Sequence, residues 1–199
     1  NAEQGFNFLK AIKYHEKLVT KYPTHKERSS AAFNAALLRE KNGDYKGAAK
    51  AYGRYIKLFP EKDDVPQISF TIIQVYEKAG DMKNAALMYQ KYLAFGTKVP
   101  NHKEYSYHLA TLLVKAKQDQ LAIKQLKINM SRYSSDYRNH ALLGELLLKN
   151  NQYTNATKLL YKPATRPNAP ASLNLVLARA YMKLGKKPNA ASADGRYLS

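Results

Sequence analysis

The sequence predicts an all-α fold, a solenoid of about five helical hairpins, and two observations carry that prediction. A short turn recurs along the chain. Gly43-Asp44-Tyr45-Lys46-Gly47-Ala48 returns as Gly80-Asp81-Met82-Lys83-Asn84-Ala85, then in weaker form at Lys117 to Ala122, Asn151 to Ala156 and Gly185 to Ala190. The alanines that close these turns, Ala48, Ala85, Ala122, Ala156 and Ala190, are spaced by 37, 37, 34 and 34 residues. Apolar residues on both sides of each turn keep the 3.6-residue period of an amphipathic helix, so every repeat is a pair of antiparallel helices.

Taken in order, Ala11 lies 37 residues before Ala48, and Ala11 to Leu18 reads as the second helix of a truncated first repeat, 1–28. Four full repeats follow at 29–65, 66–102, 103–136 and 137–170, with a last repeat or cap at 171–199. In the first full repeat Ala31 to Glu40 and Tyr45 to Phe59 are the helices, and Pro60 stops the second. In the next, Ile68 to Lys78 and Met82 to Phe95 take those places, after a loop that ends at Pro66. Proline in a first helical turn costs no hydrogen bond. The polar stretch Lys186 to Ser199 reads as a weak capping helix or the start of another element, while Phe6, Phe8 and Leu9 would stand on an open apolar flank at the other end. The expectation is one domain, 1–199, cut from a longer parent chain.

Alanine or glycine where two helices cross lets their axes approach, and an aromatic from the second helix fills the gap beside it. Ala36, Ala48, Tyr52, Tyr55 and Pro60 recur as Ile73, Ala85, Tyr89, Tyr92 and Thr97, with Tyr76 before the turn. Leu143-Gly144 with Leu147, and Leu177-Ala178 with Tyr181, continue the pattern. These residues resemble the tetratricopeptide-repeat family over nearly the whole chain. That resemblance implies a right-handed α-α superhelix and a non-catalytic role in binding other proteins. The family's tryptophan is missing from every repeat, its place taken by Ala32, Ser69, Ser106, His140 and Asn174. The Tyr22-Pro23 and Phe59-Pro60 endings are similar in style to repeats of bacterial envelope proteins such as BamD and CpoB. The implied location is therefore periplasmic or outer-membrane-associated, with the cytoplasm as the alternative.

Composition narrows the partner. With 33 Lys+Arg against 15 Asp+Glu the formal charge is +18, and residues 101–199 carry 16 basic and 5 acidic side chains against 17 and 10 in residues 1–100. Such a field attracts acidic proteins or polyanions. The absence of cysteine excludes disulfides, thiol catalysis and thiolate metal sites. No apolar run approaches the roughly 18 residues that span a bilayer, so membrane association is expected only through an anchor or partner outside this sequence.

Nothing in the sequence converges on catalysis, a metal or a cofactor. His15, His25, His102, His108 and His140 form no pair at the spacing that puts two imidazoles on one helical face. The carboxylates of Asp63-Asp64 suit the start of the following helix. There is no nucleophile elbow and no phosphate-cradling loop.

The family resemblance implies that the first helix of each hairpin lines a concave groove. On those helices Phe33, Phe70 and Tyr107 form an aromatic row, continued by Ala141 and Leu175. Lys41, Lys78, Lys115, Lys149 and Lys183 form a basic row, each two residues before its turn. Two readings stand side by side. Lysine in a last helical turn is favoured by the helix dipole and the aromatics pack between hairpins, or the rows anchor apolar side chains and acidic groups of a bound peptide or protein. The Lys, Asn and Arg cluster of a chaperone-tail clamp is not matched, because only Asn34 and Arg179 fit, in different repeats. The alternative partner is single-stranded nucleic acid or another polyanion, held by charge and stacking.

Overall fold

The computed structural model describes residues 2–96 and 99–198, apart from the side chains of residues 2–6, 194 and 196–198. The described residues form helices α1 Ala2–Lys21, α2 Arg28–Lys41, α3 Tyr45–Leu58, α4 Val65–Lys78, α5 Met82–Leu93, α6 His102–Lys115, α7 Asp119–Arg132, α8 Arg138–Lys149, α9 Tyr153–Ala164, α10 Ala171–Lys183 and α11 Lys187–Leu198, and no strand. They make up an N-terminal unit, Asn1–Val99, and a C-terminal unit, Pro100–Ser199. Within each, every helix packs on the next to give the stacked hairpins of an α-α solenoid. The expected helices form within a few residues of the expected bounds. Lys187–Leu198 is a helix, and α1 extends well upstream of Ala11. Leu9 is exposed as expected, Phe8 is half-buried, and the Phe6 side chain and Thr97 lie outside the described residues.

Each hairpin turn is built the same way. One residue adopts a left-handed backbone, Gly43 at φ 79°, Gly80 at 70°, Lys117 at 57°, Asn151 at 57° and Gly185 at 71°. The following residue then donates its N–H to the carbonyl five residues back, as Asp44 does to Arg39 at 2.9 Å and Gln118 to Leu113 at 2.9 Å. After the Gly43 and Gly80 turns an aspartate caps the next helix: Asp44 Oδ1 accepts from the Gly47 N–H at 2.9 Å and Asp81 Oδ1 from the Asn84 N–H at 3.2 Å. Lys117 therefore holds a conformation that glycine adopts without a Cβ penalty. Lys117→Gly is expected to raise the denaturation midpoint of the C-terminal unit by up to about 1 kcal/mol equivalent, and Gly43→Ala to lower that of the N-terminal unit by a similar amount. Urea titrations followed by circular dichroism check both.

The expected crossing residues are the core. Ala36, Ala48, Ile73, Ala85, Ala122 and Ala156 are fully shielded, and Tyr52, Tyr55, Tyr89 and Tyr92 are buried. A buried tyrosine needs a partner for its hydroxyl. Tyr52 donates to Glu40 Oε2 at 3.3 Å, and Tyr55 donates to Asp64 Oδ2 at 2.8 Å. Burial first, and then that hydrogen bond, push the Tyr55 hydroxyl up to about 12. Asp64 does stand at the start of α4, but its side chain serves Tyr55 and makes no capping bond.

Candidate partner-binding face

The residues singled out as a binding surface lie on the first helices α2, α4, α6, α8 and α10. In the N-terminal unit, Phe33 and Phe70 are half-buried and lean on their own hairpins. The Phe33 ring centroid is 5.7 Å from Tyr52 and 6.3 Å from Tyr55, and that of Phe70 is 6.3 Å from Tyr89 and 5.5 Å from Tyr92. Most of their apolar surface is thus already spent on intramolecular packing. In the C-terminal unit Tyr107 lies under the Arg138 guanidinium, whose carbon is 4.6 Å from the ring centroid.

All five row lysines are exposed, and their surroundings divide them. Lys78 Nζ is 2.7 Å from Glu40 Oε1, across from α4 to α2, and that hydrogen bond raises its ammonium above the ordinary value. Lys149 Nζ is 3.1 Å from Asp119 Oδ2 at the start of α7. Lys41, Lys115 and Lys183 have no ion pair with the described residues. Lys149 and Lys183 line one groove of about 190 Å³ in the C-terminal unit, together with Glu145, Leu148, Tyr153 and Arg179. Met182 beside them is 67% exposed, so an apolar contact stands next to the cations.

The same face carries opposite charges that lace neighbouring first helices. Arg138 on α8 grips Glu104 on α6 through both terminal nitrogens at 2.8 Å each, and Arg179 on α10 pairs with Glu145 on α8. Each pair is separated by 34 residues, one repeat length, which is the signal in the sequence that would have found them. Arg138 also binds Asp136, at 2.8 Å to Oδ1 and 2.7 Å to Oδ2, and the Asp136 side chain is only 4% exposed. That guanidinium holds the Asp136 carboxyl below the usual carboxylate range against the cost of burial. Asn129 lies buried behind this knot, donating to Ser106 O and Asn139 Oδ1 at 2.9 Å each. Arg138 and Asn129 hold the C-terminal unit's face in place, and sequence reading did not single them out.

Among the described residues no group of three or more His, Asp or Glu side chains is placed to hold a metal ion, and no helix is long and apolar enough to cross a membrane.

Residues 33–100 match the family described as Tetratricopeptide repeat. No curated protein sequence matches the chain. Similar solved structures include the MamA protein, 17% identical over 87% of this chain and 92% of that one with a TM-score of 0.60. MamA 41-end from Desulfovibrio magneticus RS-1 is 18% identical over 85% and 93%, with a TM-score of 0.57. YrrB, described as a TPR protein with an unusual peptide-binding site, is 20% identical over 96% and 90%, with a TM-score of 0.58. At these identities the likeness is one of fold. Tetratricopeptide-type helical hairpins therefore describe the chain's architecture, and the family itself is matched directly over 33–100.

Proposed function

We propose that this chain is a non-catalytic protein-interaction scaffold, residues 1–199 acting as one repeat array, whose first-helix face receives an acidic peptide or protein segment. The observation that carries the reading is the division of the lysine row. Two of its members are neutralised within the fold, while Lys41, Lys115 and Lys183 present charge to solvent with no carboxylate among the described residues answering it. An unanswered lysine on a rigid helix adds attraction and steers encounter at little ordering cost. The fold neighbour YrrB is described as having a peptide-binding site, which is in keeping with such a use of the fold. The Phe33, Phe70 and Tyr107 row contributes its half-exposed ring edges, with its main role in holding each hairpin together. A place in a bacterial cell envelope rests on the style of the Tyr22-Pro23 and Phe59-Pro60 repeat endings.

The test separates binding from folding. Because Lys41, Lys115 and Lys183 are exposed and have no ion pair with the described residues, the triple change of each to Glu is expected to leave the melting midpoint within about 0.5 kcal/mol equivalent of the parent. Affinity for an acidic polypeptide such as poly-glutamate is expected to fall more than tenfold at physiological salt. Phe33→Ala should instead lower stability by about 2 kcal/mol through lost packing. If the triple variant binds as tightly as the parent, the lysine row is not the binding surface.

A further inference from the structure

The C-terminal unit has a second concavity, of about 660 Å³, where α7 and α9 lie on either side of α8. Lys127 of α7, Lys158 and Lys162 of α9, and Arg166 just beyond α9 line it, with His140 of α8, and no carboxylate is among its lining residues. None of the four cations has an ion pair with the described residues; Arg166 donates to the Tyr137 hydroxyl at 3.0 Å. Asp136, the carboxylate whose charge acts on His140, is already held through both oxygens by Arg138. His140 adds a buried Nδ1 with no hydrogen-bond partner. Burial, and then Arg166, lower its imidazole below the ordinary histidine value, so at neutral pH it contributes no charge of its own.

The equivalent cleft of the N-terminal unit, about 380 Å³ between α1, α2 and α3, shows what balances such a place. Lys50 and Arg54 stand two and six residues after Ala48, as Lys158 and Lys162 stand after Ala156. Five residues after Ala11, however, comes Glu16, whereas five residues after Ala122 comes Lys127. In the N-terminal cleft the Glu16 carboxylate is built in, 2.7 Å from Arg39 Nη2. In the C-terminal cleft the same repeat position carries a cation. Four like charges around one concavity repel one another and raise its affinity for anions.

We propose that the cleft bounded by Lys127, Lys158, Lys162 and Arg166 is a binding site for a small, multiply charged phosphate-type anion. Lysines supply point charges and Arg166 a forked donor, which suits phosphate oxygens. One negative charge would leave most of the cations unanswered, so an oligophosphate is favoured over a single phosphate. The site is independent of the first-helix face.

Calorimetric titration of the chain with inorganic tripolyphosphate at physiological salt is the experiment, with inorganic phosphate, a short single-stranded oligonucleotide and the Lys127→Glu variant as parallel arms. The expected result is one saturable site for tripolyphosphate and at least tenfold weaker binding of monophosphate. Lys127→Glu, which restores the charge of the N-terminal cleft, is expected to lose at least tenfold. Lys183→Glu, on the first-helix face, is expected to leave affinity unchanged. The His140 ring resonances should shift with tripolyphosphate in the parent and not in Lys127→Glu, and Lys162→Gln should weaken binding without altering helicity. No saturable binding, equal losses for Lys127→Glu and Lys183→Glu, or binding confined to the oligonucleotide would each overturn the proposal.

Discussion

Replacing Arg138 by alanine is expected to destabilise the C-terminal unit by about 3 kcal/mol at neutral pH. Its guanidinium answers both oxygens of Asp136, which is only 4% exposed, and breaking a buried pair from one side leaves an uncompensated charge that costs roughly 3 to 5 kcal/mol. Water reaches the guanidinium, which is 45% exposed, and this brings the expectation to the lower end of the range. The same change removes the two hydrogen bonds to Glu104 and the cover over Tyr107. The pH dependence follows from the sign of the Asp136 shift. Its folded carboxyl is held below the unfolded value, so the stabilisation is present above about pH 4 and is lost as pH falls through the folded value. The gap between parent and Arg138→Ala should therefore be widest near pH 7 and shrink in acid. Urea titrations at pH 7 and at about pH 2, below the unfolded carboxylate value, measure it, and a gap that does not change with pH would assign the loss to packing alone.

Gly144→Leu should have a comparable effect by a different route. At this crossing in the C-terminal unit an added Cβ would stand 2.7 Å from Leu160 Cδ1 and 3.0 Å from Val176 Cγ1. Leu160 and Val176 are themselves buried, so neither can give way toward solvent. Inserting a larger side chain forces α8 away from α9 and α10, and overpacking of this kind costs about 3 kcal/mol. Gly144→Ala is expected to lose much less, because removing a mid-helix glycine returns roughly 1 kcal/mol. Thermal unfolding by circular dichroism should rank parent, alanine and leucine in that order. A leucine variant as stable as the parent would mean that the helices do not cross this closely.

Much of the fold could be read from the sequence because a repeat states its rules several times. The alanines at a spacing of 37 or 34 residues marked the buried crossings, and the residue five before each marked the turn, whose left-handed backbone at Lys117 and Asn151 only the structure shows. The recurrence of Lys41, Lys78, Lys115, Lys149 and Lys183 in the last turn of each first helix was legible in the same way. What each residue does there was not, because that depends on a neighbour one repeat away. Lys78 meets Glu40 while Lys41 meets no carboxylate among the described residues, although both stand at the same place in their repeats. Phe33 and Phe70 were legible as a row, but their half-burial against paired tyrosines needed the second helix in position. The Asp136–Arg138 contact was hidden for the opposite reason: two residues apart and outside the repeat pattern, it gains its weight from burial.

The central claim, that the first-helix face is where a protein partner sits, is tested most directly by site-specific photo-crosslinking in extract of the source cell. A benzophenone side chain is placed at Gln74 or Met182, exposed on first helices, and at Lys91 or Tyr161, exposed on second helices. The account predicts nuclease-resistant adducts to one protein from Gln74 and Met182, competed by poly-glutamate, and none from Lys91 or Tyr161. Adducts formed equally from both sets of positions, or removed entirely by nuclease, would contradict it.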